Sequence, residues 1–566
     1  MRARRVLYWS VGMGLMVGLL SLPARALANR GVLNGFMPMT TITVSTTLDD
    51  VEDNGNCTLR EAVIAANTDA SRDGCQAGTG LDTIVLPAGT YSFMISAGDD
   101  YQDPASGDLE VSGPAIIRGA GRDETIVDAN RLDRIFETQG HVTIQDLTMQ
   151  DGNADWADDY SVRDGGAGIF NHGTLILTNV KIAENFNDLQ SGGGVKNDGD
   201  LTVENSLFFH NSSYGPGAAI ENGGTARISQ TRFEHNGAYS DGAIYNAVGA
   251  TLVIDDSLFI DNSTLHNASV LFGDGKMTVR NSLIDCNDNL ALESGAIWVK
   301  GGETLLETVT IERCVSQGSG GAIIQDGGML QIVRSVIKNG AGNEGGGIAL
   351  REGSLEVQES LISGNNAVRG AAIHVSGGSG LVINSTLVDN TVEESGAVYL
   401  VGGTIELRSV TLAGNTGGGL VVAGGTARVH NSILAGNGPD CSAGAGGIDS
   451  LGYNLVGDAA GCNWVKTCGD DLGSASQPIN PKLGPLEDNG GPTWTVELQP
   501  GSPAVDDGDN ANCPATDQRG FPRPKDGNND GNASCDKGAY EVQEKAAVPT
   551  EGAPPSDTIY LPLVSR

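Results

Sequence analysis

Seven residues near the C-terminus, Asp526-Gly527-Asn528-Asn529-Asp530-Gly531-Asn532, carry side-chain oxygens at alternate positions and a glycine at the sixth. That is the spacing with which an oxygen-rich loop wraps calcium. Asp526, Asn528 and Asp530 would supply side chains, Asn532 its carbonyl, and Asp536 an extra ligand. Position twelve is Lys537, where a bidentate glutamate would close the shell, so a solvated turn competes with a Ca2+ site. Asp506, Asp507 and Asp509 form a weaker second candidate. Glycoside hydrolysis would need two carboxylates facing one bond. Asp255-Asp256 cannot provide them, because neighbouring strand residues point to opposite faces. The seven histidines (141, 172, 210, 235, 266, 374 and 430) recur at no common spacing, so they form no metal ladder. No catalytic residue is assigned.

The elements that would position such groups come from a repeat. Small residues followed by an aliphatic recur at Gly168-Ile169, Gly194-Val195, Ala219-Ile220 and Ala243-Ile244, then at Ala296-Ile297, Ala322-Ile323, Gly347-Ile348, Ala372-Ile373, Ala397-Val398 and Gly419-Leu420. The spacing is about 25 residues, broken by one degenerate turn near Val270. Within each repeat the apolar period is two, as in Leu201-x-Val203 and Ser206-x-Phe208, and the runs are too short for helices. One such unit cannot bury its own apolar edge, whereas stacked units share a continuous core. The fold class predicted is all-β, a right-handed parallel β-helix with three short strands per coil, the hand following the rule for strand crossovers. Rungs about 4.8 Å apart would give roughly 13 coils a length of about 60 Å.

Two amide ladders are expected. Asparagine ends the third strand at positions 185, 211, 236, 262, 287, 365, 390, 415 and 437. The inward position two after the repeat aliphatic is Asn171, Asn197, Asn222 and Asn246, then Phe272, Val299, Leu350, Val375, Leu400 and Val422. The outward position one after the aliphatic holds Phe170, Tyr245, Trp298, His374 and Tyr399, interrupted by Lys196, Glu221, Leu271 and Ala349. Exposed rings in register on one face would stack on sugars; scattered exposed aromatics are the plainer reading.

Arg2, Arg4 and Arg5 precede an apolar run from Val6 to Leu22 and an A-x-A ending at Ala28, which reads as an export signal or an uncleaved anchor. With a net charge of −36 the surface repels phosphate backbones, so nucleic acid is excluded as a partner. Nine cysteines suit an oxidising compartment. Their grouping predicts Cys57–Cys75, Cys441–Cys462 and Cys513–Cys535, with Cys468 left over. Cys286 and Cys314 lie about one coil apart and are read as stacked buried thiols, a cross-coil disulfide being the alternative. Leu59, Ala62, Val63 and Ala66 have helical spacing; they suit an amphipathic cap over the open end of the coil, or a recognition element.

Cys57-Thr58-Leu59-Arg60-Glu61-Ala62-Val63 resembles the CSLREA motif of secreted bacterial β-helix proteins. The Phe-x-x-Asn repeats (Phe208 to Asn211, Phe233 to Asn236, Phe259 to Asn262) are similar to those of chlamydial polymorphic outer-membrane proteins. Thr516-Asp517-Gln518-Arg519-Gly520 and Cys535-Asp536-Lys537-Gly538-Ala539-Tyr540-Glu541 resemble a choice-of-anchor region. The resemblance implies a secreted or cell-surface β-helix and brings no catalytic residues with it. The chain departs from the polymorphic proteins in lacking long alternating barrel strands. The organisation expected is a signal at 1–28, a capping segment at 29–81, the β-helix at 82–437, an anchor-like region at 438–542, and a linker with the apolar tail Ile559–Val564 at 543–566. That tail would be a sorting signal or a strand packing on a neighbour, and is too short to span a bilayer. The function expected is monomeric, non-enzymatic adhesion or contact with extracellular polysaccharide or a host or neighbouring cell. The alternative is a polysaccharide lyase or glycoside hydrolase of pectate-lyase-like fold.

Overall fold

The computed structural model describes residues 39–96, 105–154, 165–188, 190–293 and 295–543. The expected signal and the Ile559–Val564 tail lie outside these residues. One representative coil contains strands Ile169–Asn171, Thr174–Thr178, Lys181–Ala183 and Phe186–Asn187. Each pairs in parallel with its equivalent one turn along: Ile169 faces Val195, Leu175 faces Leu201, Ile182 faces Phe208 and Phe186 faces Ser212. The result is a parallel β-helix with three long sheets. Sheet A has 16 strands, sheet B, which holds the repeat aliphatics, has 14, and sheet C has 16. Sheet D, the short fourth strand absent from the three-strand expectation, forms ladders of 4 and 5 strands between C and B. The ladders reach past 82–437 at both ends, from Met39–Thr43 to Asp471–Leu472.

Alternation decides what is inside. Leu201 and Val203 of sheet A, Val195 of sheet B and Phe208 of sheet C are all buried. Phe208, Phe233 and Phe259 stack with centroids 4.8 and 4.7 Å apart, one ring per rung. Each fully buried ring contributes about 1.5–3 kcal/mol. The corner between sheets B and A must be glycine at Gly199, because a Cβ there would stand 2.0 Å from the Gly173 carbonyl oxygen on the preceding rung.

The amide ladders form as their spacing predicts, with informative breaks. Asn171, Asn197 and Asn222 each donate Nδ2 to Oδ1 of the next rung at 2.7–2.8 Å, ending on Asn246. The following rungs are Gly273, Val299, Gln325, Leu350 and Val375. At the C–D corner, Asn185, Asn211 and Asn236 donate onward at 2.9–3.0 Å, ending on Asn262. Asn287, expected next, is instead exposed and left-handed, with φ 52°. The buried Cys286 takes the inward place and is bonded to Cys314, one rung on, with Cα atoms 4.8 Å apart. The favoured expectation of free thiols is therefore corrected: the rung spacing matches the reach of a disulfide. Gly340 N–H donates to Asn365 Oδ1 at 2.8 Å, and the amides resume through Asn390 and Asn415 to Asn437. The disulfides Cys57–Cys75, Cys441–Cys462 and Cys513–Cys535 are present as paired from the sequence, and Cys468 is free and exposed.

Helix α1 (Leu59–Thr68) packs on strands Met39–Thr43, Leu81–Val85 and Leu109–Val111 at the N-terminal end of the stack. Thr58 and Glu61 form a reciprocal capping box that sets its start. Arg60 is buried and donates Nε to Asp49 at 2.8 Å and Nη2 to the Gly107 carbonyl at 2.9 Å. At the other end the chain turns back. An antiparallel hairpin, Leu483–Glu487 with Thr495–Leu498, lays Val496 on Leu361, Val388 and Ala413 of the outer face of sheet C. Further polar ties run from Thr493 to the Glu359 carbonyl, from Asn384 to the Thr516 carbonyl, and from Thr386 to Gln518.

Candidate functional site

The outer face of sheet B carries one side chain per rung, in strict register. From Glu137 the column reads Phe170, Lys196, Glu221, Tyr245, Phe272, Trp298, Ile324, Ala349, His374, Tyr399 and Val421. Phe272 belongs here and not inside: Leu271, not Val270, pairs with Ile244, so the degenerate coil is shifted by one residue. A one-residue slip moves every side chain to the other face.

The register brings the predicted aromatics onto one face, but their expected exposure is not what the fold provides. Phe170, Trp298 and His374 are only 3, 9 and 2 % exposed, and Phe272 joins them at 5 %. Tyr245 and Tyr399 are half-buried. The cause is rung spacing: large rings this close roof one another. Phe272 lies 5.7 Å from Tyr245 and 5.5 Å from Trp298. Cationic stems complete the cover, with Lys196 Nζ 5.0 Å above Phe170 and Lys300 Nζ 5.7 Å above Phe272. Trp298 Nε1 is spent on Asp326 Oδ2 at 2.8 Å.

The open aromatic surface lies beside this face, after the sheet D strands. Tyr214 and Tyr239, 54 and 40 % exposed, stack with centroids 4.4 Å apart and planes 9° from parallel. His266 packs its edge on Tyr239 at 4.7 Å, and Leu265 and Leu292 are exposed on the following coils. The sequence reading missed this stripe. Its signal was available: Tyr214, Tyr239 and Leu265 each stand three residues after a ladder asparagine.

Among charged groups, His374 sits between Ala349 and Tyr399 in the column, and burial lowers its proton affinity. His210 and His235 are corresponding left-handed turn residues, rings 5.1 Å apart. Near the C-terminus, Asp526, Asn528, Asp530 and Asn532 share a loop. The Asp526 oxygens accept from the N–H groups of Asp530 and Gly531, and Asn528 Oδ1 also accepts from Asp530. Asp530 Oδ1 accepts from Asn532 N–H. Asp536 is no ligand of that loop. It is buried, with its oxygens accepting from Asp506 and Val542 N–H at 2.7 and 2.6 Å. Burial and the neighbouring Glu541 push its carboxyl up to about 8, which keeps it protonated and a poor calcium ligand. Among the described residues no group of three or more His, Cys, Asp or Glu is placed to hold a metal ion.

The motif residues Asp517 to Arg519 and Asp536 to Glu541 build the turned-back segment. Asp517 accepts from Arg519 Nη2 at 2.6 Å and from Glu541 N–H at 3.1 Å. Arg523 faces Glu541 at 3.2 Å, and the buried Lys537 bridges Asp471 and Asp507.

Residues 294–456 match the family model described as a right handed beta helix region, which agrees with the coil seen here and gives it a right hand. A solved structure, the A-module of the mannuronan C-5 epimerase AlgE4 of Azotobacter vinelandii, is similar at 17 % identity and a TM-score of 0.26. The match covers 61 % of this chain and 92 % of that one. A search of curated proteins finds no match.

Proposed function

We propose that the protein is an exported β-helix that contacts saccharide on an extracellular or cell surface without turning it over. The stacked, open Tyr214–Tyr239 pair carries this reading. The two parallel rings, stacked face to face on successive rungs and followed by the exposed Leu265 and Leu292, form an apolar ridge whose ring edges and open outer ring face a saccharide can pack against. Four disulfides suit an oxidising compartment and support export. The chain acts as a monomer, and its charge of −36 disfavours nucleic acid.

Retention on insoluble polysaccharides tests the reading. Tyr214→Ala with Tyr239→Ala is expected to lower retention about tenfold, the loss of roughly 1.4 kcal/mol of contact with the sugar, with stability lowered by only about 1 kcal/mol through loss of the ring pair itself. Release of reducing ends or unsaturated uronate, abolished by one acidic or basic substitution in the coils, would replace this reading with that of a lyase or hydrolase.

A further inference from the structure

The side chain of Lys537 is wholly shut away from solvent, an arrangement lysine avoids unless its amine is paired. Its Nζ donates to three oxygens: the Gly469 carbonyl at 2.9 Å, Asp471 Oδ2 and Asp507 Oδ2. Both carboxyl side chains stay partly open to water, 40 and 51 % exposed. Backbone bonds fix all three residues. Asp471 stands on the last strand of sheet C, its N–H held by the Asn454 carbonyl at 2.7 Å. Asp507 and Lys537 are locked together from both sides, Lys537 N–H on the Ala504 carbonyl at 2.9 Å and Gly508 N–H on the Cys535 carbonyl at 2.6 Å. One carboxylate is enough to balance one ammonium, so pairing does not explain the second.

The two carboxyls differ in protonation. Burial raises the proton affinity of Asp507, against the pull of Lys537 and with the help of a hydrogen bond to Asp471. Asp471, though desolvation opposes its ionisation, is held below the usual carboxylate range by Lys537 and by its bond to Asp507. A protonated carboxyl is an acyl donor whose hydroxyl can leave, whereas an ionised one accepts a proton. An amine in contact with both has an electrophile and a base beside it in fixed relation, which raises their effective concentration far above that in free solution.

We infer that Lys537 and Asp507 close a side-chain amide in the folded chain, with Asp471 as the proton acceptor. The ammonium gives one proton to Asp471, and the freed amine attacks Asp507 Cγ. The bond from Cγ to the hydroxyl then breaks, and the hydroxyl leaves as water with a second proton from the nitrogen. One C–N bond has replaced one C–O bond, nothing is oxidised or reduced, and Asp471 returns its proton to solvent. The partly open carboxyls give the water a way out. No partner is needed, and the cross-link is independent of any contact with saccharide.

The test is mass spectrometry of the full chain, denatured, reduced and alkylated so that the Cys513–Cys535 bond no longer joins the two segments, then digested with trypsin. The expected product is a branched peptide joining 483–519 to 526–545, lighter than its two parts together by one water, because trypsin does not cut at an acylated lysine. Lys537→Arg keeps the positive charge and should give only unlinked peptides. Asp471→Asn removes the base but leaves the acyl donor, and should lower the branched fraction by about tenfold or more. Unlinked peptides alone from the native chain overturn the inference. So does a loss of water confined to 483–519 that persists in Lys537→Arg, which would mark ring closure at Asp507-Gly508 instead. A branch ending on Asp471, or undiminished branching in Asp471→Asn, overturns the roles given to the two carboxyls.

Discussion

Replacing the Cys286–Cys314 disulfide should reveal what the corner column contributes. The bond joins successive rungs in place of two amides, closing a loop with a sequence separation of 28. Chain-entropy arguments assign a cross-link of that length about 3.5 kcal/mol. Cys286→Ser with Cys314→Ser should lose roughly that amount. Cys286→Asn with Cys314→Asn should do better, because Asn262 now ends its run, donating Nδ2 to the Phe233 carbonyl at 2.8 Å with no amide on the next rung. Two inter-rung amide bonds would form, Asn262 to position 286 and position 286 to position 314. At about 1 kcal/mol each, the double asparagine should recover roughly 2 kcal/mol. Native-state hydrogen exchange of amides in residues 258–316 measures this locally, without requiring reversible unfolding of the whole chain. Equal protection in the serine and asparagine variants would refute the argument that this column is one interchangeable ladder.

Other consequences can be checked separately. Thr58→Ala removes the capping box and should cost α1 about 1 kcal/mol, seen as faster exchange at Glu61 and Ala62. Gly199→Ala places a Cβ 2.0 Å from a carbonyl oxygen and should cost about 3 kcal/mol or more, read from the thermal midpoint. Asp536 and Glu541 are pushed up to about 8 and about 7 by burial, so the folded chain holds protons that the unfolded chain has released. Their stabilisation is therefore complete below about pH 4 and is lost as pH rises through 7 to 8. Between pH 5 and 6 both groups hold a proton that the unfolded chain has lost, so stability falls by about 2.7 kcal/mol per unit, and Asp536→Asn should roughly halve that slope in urea titrations.

The coil was legible because its period was written many times over. Ile220, Ile244 and their equivalents state both the register and the inward face, and the ladder asparagines follow from the turn between strands. The failures are local. Spacing alone points to Val270 as the repeat aliphatic and so to Phe272 inside, where Leu271 serves and Phe272 faces out. The cover over Trp298 and His374 is not legible in the repeat, because alternation says which way a side chain points, not what its neighbours cover. Tyr214 and Tyr239 leave no mark in the alternation because sheet D, two residues long in these coils, has none to read. Asp526, Asn528, Asp530 and Asn532 share one loop, while Asp536 is occupied by the backbone N–H groups of Asp506 and Val542, which spacing alone does not reveal.

The turned-back C-terminal segment breaks the nearest-neighbour economy of a solenoid. Ordinary coils can fray one at a time from a free end, since each touches only the next. Here Thr493 grips the carbonyl of Glu359, while Gly538 N–H reaches the Asn431 carbonyl at 2.8 Å. The coils between are clasped together like pages under one binding, so this end should open as a single block or not at all.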